Sequence, residues 1–116
     1  MDDCIFCKIV RGEIPSAKVY EDQDILAFND INPVAPVHVL IVPKKHVSDI
    51  MTLSEHEQRA QIMESVIRAV PAVAKAAGVA ETGFRLINNC GEEGGQTVMH
   101  LHFHLIGGRK LGEKLI

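Results

Sequence analysis

"TVMHLHFHLIGG", Thr97 to Gly108, sets His100, His102 and His104 in strict alternation with Leu101, Phe103 and Leu105. On an extended chain, successive side chains project to opposite faces. The spacing therefore predicts the three imidazoles on one side of a strand and the three apolar residues on the other. The apolar side can serve a core. The imidazole side must do something else, because three adjacent imidazoles pack poorly and are costly to bury without partners. Half of the chain's six histidines stand within these five positions, so the concentration calls for a chemical reason.

Working outward, "FRLINN" (84–89) reads as the strand before it, joined to "VMHLHFHLI" (98–106) by a polar, Gly-rich connection. Upstream, "AKVY" and "DILAFND" read as strands separated by the polar turn "EDQD". The two prolines of "NPVAP" require a non-helical loop. "VHVLIV", almost continuously apolar and ended by Pro43, belongs in the middle of a sheet. Ser54 and Glu57 in "SEHE" match a capping box that would open a helix running to about Ala77, with Gly78 placed to stop it. Pro71 interrupts the apolar stripe of that helix and is expected to kink it or end its first part. Strands, then a long helix, then a strand pair without βαβ alternation predict an α+β fold. Its core is a mainly antiparallel five-stranded sheet with one long and one or more short helices.

At 116 residues the chain fits one domain spanning 1–116, with neither repeat nor linker. A formal net charge of −3 and no basic stripe exclude a mainly electrostatic nucleic-acid binder. No apolar run reaches membrane-spanning length, and "MDDCIF" lacks the basic and apolar regions of a signal peptide, so a cytoplasmic location is expected. In that compartment the three cysteines should be reduced thiols rather than a disulfide framework. Cys90, standing alone, reads as a small buried apolar residue.

Three same-face histidines admit three readings: a tridentate metal site, a nucleophilic and acid–base cluster, or solvated imidazoles on an exposed sheet face. "NNCGEEGGQTV" feeds directly into them. There Gly94 and Gly95 would let backbone approach a ligand closely, while Gln96 and Thr97 add an amide and a hydroxyl suited to phosphate oxygens.

"HLHFHLI" fits His-φ-His-φ-His-φ-φ, with φ apolar, at every position, and in this the chain resembles the histidine triad (HIT) superfamily. "CIFCKIVRGEIPSAKVYED", "LAFNDINPVAPVHVLIVPKKHV" and "GGQTVMHLHFHLIGGR" look like its Hint branch, the histidine triad nucleotide-binding proteins, over most of the chain. The resemblance implies hydrolysis of purine nucleoside 5′-phosphoramidates or related nucleotide conjugates, with no catalytic cofactor. His102 would attack the α-phosphorus and form a nucleotidyl-histidine, which water then releases as a nucleoside monophosphate. It implies further that the carbonyl of His100 holds the other ring nitrogen of His102. His104 would contact phosphate and share proton handling, and His38 would stand beside the triad. Asp30 would accept from the ribose hydroxyls, Phe6, Phe28 and Ile31 would line the base pocket, and Asn89, Gly95, Gln96 and Thr97 would contact phosphate or ribose.

Cys4-x-x-Cys7 departs from the familiar Hint pattern but is similar to a zinc-binding pair in other relatives, whose remaining ligands match His46 and His100. A structural zinc on Cys4, Cys7, His46 and His100 is what that likeness implies. It also implies a homodimer. The short tail "GGRKLGEKLI" differs from the longer Hint tail that borders the leaving group. Two alternatives stay open: a dinucleoside polyphosphate hydrolase, and a nucleotide-binding regulatory module with residual catalysis. A three-histidine metalloenzyme would lose activity to chelators.

Overall fold

The apolar run Val37–Pro43 forms the central strand of the sheet, as its composition predicts. The computed structural model describes residues 3–116, so the first two positions of the expected domain lie outside the described residues. The chain runs through α1 (Ile5–Val10), β1 (Lys18–Glu21), β2 (Ile25–Asn29), β3 (Val37–Pro43), α2 (Ile50–Leu53), α3 (Arg59–Ala76), β4 (Phe84–Ile87) and β5 (Phe103–Gly107). The five strands lie in the order β1-β2-β3-β5-β4, each pair antiparallel. This is the expected α+β architecture. No helix among the described residues is long and apolar enough to cross a membrane.

β3 is apolar on both faces because helices cover both. Val39 and Ile41 join Val66, Ala69 and Val73 of α3 in the larger core, with Leu101, Phe103 and Leu105. Leu40 and Val42 face the other way, into a smaller cluster with Phe6 and Ile9 of α1. The register pairs Val39 with Leu105 and Leu40 with His104, so His38 and His104 lie diagonally on the α1 face. The alternation read from the triad is therefore physical: its apolar residues enter the larger core and its histidines turn away.

Four expectations need correction. The histidine strand does not start at Val98, because β5 begins at Phe103 and His100 and His102 precede it. The cause is Pro43, which has no N–H to extend the ladder. The chain instead donates Leu101 N–H to Val47 O at 2.6 Å. Ser54 does not open the long helix. Its N–H bonds to Ile50 O and its hydroxyl to Met51 O, closing α2, whose N-cap is Asp49. With Ser54 engaged there, α3 starts at Arg59 after Gln58, which makes no side-chain cap. Pro71 does not end the first part of α3, which is continuous through it. It sits on the exposed face, where water can hydrate the Ile67 carbonyl that loses its donor. Cys90 is half-buried rather than a core residue.

Gly78 does stop α3. At φ +78° it adopts the left-handed conformation, and Val79 N–H reaches back to Ala74 O at 2.9 Å, closing a Schellman motif over buried Val79.

Candidate active site

Backbone groups dictate where the protons sit on the triad. A carbonyl oxygen only accepts, so Nδ1 of His102, 2.7 Å from His100 O, must carry the ring proton. Nε2 of His102 is then a free lone pair. By the same reasoning His100 donates from Nε2 to Pro43 O at 2.8 Å, leaving its Nδ1 as the lone pair. Val34 N–H donates to Nδ1 of His38 at 3.2 Å, which puts the His38 proton on Nε2. That proton reaches Nδ1 of His104 at 2.9 Å, so neutral His104 carries its own on Nε2. Asp30 Oδ2 lies 3.4 Å from Nε2 of His38 and steadies the same proton.

Burial, then the nearby rings of His102 and His38, pulls His104 down to about 4, against the opposing pull of the Asp30 carboxylate. Burial likewise brings His100 down to about 4, with the Pro43 carbonyl opposing and His46 and His102 assisting. Both rings are neutral at neutral pH. Asp30, His38 and His104 could geometrically gather a cation. Proton placement argues otherwise, because Nε2 of His38 holds a hydrogen rather than a lone pair.

A cleft of about 530 Å³ opens in front of His102 and His104. Its walls come from α1 (Ile5, Phe6, Ile9), from the end of β2 (Phe28, Asp30), and from Thr97 and Val98. Phe6 stands edge-on to His102 with ring centres 5.1 Å apart, and edge-on to Phe28 at 5.7 Å. The lining of the cleft is mostly apolar, with imidazoles from His102 and His104 and a hydroxyl from Thr97.

Behind the triad lies a second cluster. Nδ1 of His100 is 3.3 Å from Cys4 Sγ and 3.5 Å from Cys7 Sγ, and Nδ1 of His46 is 3.3 Å from Cys7 Sγ. All four donor atoms fall within 4.8 Å of one another. Such spacings suit the edges of a tetrahedron around a metal with two sulfur and two nitrogen ligands. The hydrogen bond to Pro43 O leaves Nδ1 of His100 free for a metal. Without one, burial and then Cys4 push the Cys7 thiol up to about 11, and burial lowers His46.

The HIT domain family profile matches residues 11–111. The chain belongs to the HIT family. The purine nucleoside phosphoramidase of Escherichia coli K12 is 45% identical over 115 residues, which cover 98% of this chain and 94% of the relative. Among solved structures, a histidine triad protein from Clostridium difficile is similar at 51% identity and a TM-score of 0.91, covering 98% of this chain and 97% of that one. A HIT family hydrolase from Clostridium thermocellum is similar at 48% identity and a TM-score of 0.93, covering 100% and 99%.

The sequence-predicted residues of this HIT domain divide in two. Phe6, Phe28, Asp30, Ile31, Thr97, His102 and His104 come together around the cleft, and His38 backs His104. Ile31 lines the cleft but is 91% exposed. Asn89, Gly95 and Gln96 are not among the lining residues. Gln96 is buried as a brace: its Oε1 accepts Gly91 N–H, and its Nε2 donates to Ser48 O and Val98 O. The paired glycines serve the loop itself. Gly95 takes φ +84°, and a Cβ on Gly94 would meet Cys90 O at 2.4 Å. Sequence reasoning missed Asn88, whose Nδ2 donates to His102 O at 2.9 Å. It placed Phe6 at the pocket but did not read the helix α1 that carries it, nor Ile5 and Ile9 beside it, although "IFCKI" carries its apolar residues at helical spacing.

Proposed function

We propose that this protein is a Hint-type hydrolase that cleaves purine nucleoside 5′-phosphoramidates, or related nucleotide conjugates, through a nucleotidyl-His102 intermediate. The observation that carries this reading is the Nδ1–H of His102 held by His100 O, which leaves Nε2 as a nucleophile beside the cleft. In the first step Nε2 forms a bond to the α-phosphorus while the phosphorus–nitrogen bond breaks. The departing amine takes a proton from His104. That ring gains a second proton, on Nδ1, as the anionic nucleotide binds, since the phosphate charge opposes the burial that holds it near 4 in the free protein, and the His38 Nε2–H then turns to Asp30 Oδ2. In the second step water attacks the phosphorus, its proton returns to His104, and the nucleoside monophosphate leaves. One water is consumed per turnover. The apolar lining of the cleft suits a purine, and Asp30 suits ribose hydroxyls.

Cys4, Cys7, His46 and His100 would hold a structural zinc, which would tie α1 to the triad segment by coordination and would take no part in the steps above. Free thiols in that set suit a reducing compartment, in keeping with a single-domain cytoplasmic protein. A homodimer is supported by β4, one of the two outer strands, whose Phe84 and Leu86 are each 37% exposed.

Adenosine 5′-phosphoramidate and diadenosine polyphosphate should be incubated with wild type and His102→Ala, with acid-quenched protein examined by mass spectrometry. We expect AMP from the phosphoramidate, an adenylylated wild-type protein, and a rate lower by about 10³-fold or more in the variant. Faster cleavage of the polyphosphate would reassign the substrate. Tight AMP binding without turnover would leave a nucleotide-binding module, and undiminished turnover by His102→Ala would remove the mechanism altogether.

A further inference from the structure

We propose that Asn88 is a positioning residue for His102, an inference that rests on the reading of His102 as nucleophile. The β4–β5 ladder ends with Ile87 opposite His104. Continued in register, it would set Asn88 opposite Phe103 and Asn89 opposite His102, but the two strands separate there. In place of a ladder bond, the side-chain amide of Asn88 crosses the gap and donates to His102 O at 2.9 Å. The nucleophile therefore belongs to a stretch of backbone that no strand holds.

That matters because the ring of His102 is aimed from within the same stretch. Its Nδ1–H bonds to His100 O, two residues earlier in the chain. This bond fixes the ring only as well as the backbone from 100 to 102 is itself fixed. On the β3 side that backbone is tied by His100 Nε2 to Pro43 O and by Leu101 N–H to Val47 O. On the β4 side Asn88 supplies a tie at the nucleophile's own carbonyl. Asn88 is not among the residues lining the cleft. Its contribution falls on the step in which Nε2 must meet phosphorus in line, where a misplacement of about 1 Å costs on the order of 100-fold.

The test uses Asn88→Ala, the isosteric Asn88→Asp, which replaces the N–H donor with an oxygen, and Asn88→Gln, which keeps the donor on a longer arm. Three quantities are measured in the intact protein: the single-turnover rate of adenylyl-His102 formation, the Kd for AMP, and the imidazole Nδ1–H resonance of His102 by NMR. We expect Ala and Asp to slow adenylylation by about 10- to 100-fold with AMP affinity within about twofold of wild type, and Gln to fall between. The Nδ1–H signal, sharp in wild type, should broaden or shift in Ala and Asp. Wild-type rates in all three variants overturn the inference, and so does a loss of rate matched by an equal loss of AMP affinity. If wild type forms no adduct at His102, the functional reading fails. The NMR comparison still decides this inference, since an unchanged Nδ1–H signal in folded Asn88→Asp refutes it.

Discussion

Leu101 lies between the first two triad histidines, outside any strand, and yet is completely buried in the α3-side core. Removing its side chain tests whether the alternation of faces holds where no ladder enforces it. Truncating a fully buried leucine to alanine loses transfer free energy and leaves a cavity that its neighbours only partly fill, a cost of about 3–5 kcal/mol. Phe103 and Leu105 lie on the same side and line the same core, so the site has little room to collapse. With a urea dependence of about 1–3 kcal/mol per molar, the unfolding midpoint of Leu101→Ala should fall by about 2 M. Met99, two residues earlier and 49% exposed, is the control, and Met99→Ala should stay within about 0.5 kcal/mol of wild type. Urea titrations followed by circular dichroism measure both. A domain of this kind has about 5–15 kcal/mol in hand, so Leu101→Val, expected to cost about 1 kcal/mol, gives a folded point if the alanine variant is too weak to study. A cost below about 1 kcal/mol for Leu101→Ala, or equal costs at 99 and 101, would show that the segment is out of phase with the core. The triad would then not point where the site requires.

Three further outcomes follow from particular contacts. Burial raises the Asp22 carboxyl, but the Tyr20 hydroxyl and the N–H groups of Asp24 and Ile25 outweigh it, and the net value lies below 3.8. The stability it contributes is therefore complete above about pH 4 and lost as the pH falls through its lowered folded value. Asp22→Asn should flatten the decline of melting temperature below pH 4 while costing about 1–3 kcal/mol at pH 7. If Cys4, Cys7, His46 and His100 hold a structural zinc as proposed, chelation should lower the melting temperature and leave adenylylation of His102 intact. Activity lost on chelation and restored with metal, in protein that stays folded throughout, would refute this. Gly94→Ala places a Cβ against Cys90 O at 2.4 Å, a backbone contact that cannot swing aside. We expect a loss of about 1–3 kcal/mol by thermal unfolding, and a neutral result would mean the loop opens freely.

Much of this site was legible because it rests on local periodicity. The His and Leu/Phe alternation assigned faces correctly, and the unbroken apolar run of β3 placed that strand centrally because both its sides meet helices. What could not be read depends on partners distant in sequence. Ser54 and Glu57 match a capping box, but nothing local shows that Ser54 is already engaged at the end of α2. Pro71 reads as a break, and only the orientation of α3 puts it on the solvent face where a missing hydrogen bond costs little. "NN" at 88–89 offers two equivalent amides. The register of β4 against β5 makes Asn88 the one that reaches His102.

The misjudged boundary of β5 and the chemistry of the site have one cause. In a continued ladder the carbonyls of Pro43 and His100 would be spent on strand partners, and no acceptor would remain for the imidazoles beside them. Pro43 stops that ladder, and the two carbonyls take ring protons instead, from His100 and His102 respectively. The first bond turns the lone pair of His100 toward the thiols of Cys4 and Cys7. The second leaves the lone pair of His102 on Nε2, the atom that the proposed mechanism uses as nucleophile. A backbone proton from Val34 performs the complementary service for His38, and through it sets the tautomer of His104. The ring protons of four histidines are thus placed by groups that carry no sequence signal of their own. The place where a strand prediction overruns is where the protein needs its backbone unpaired.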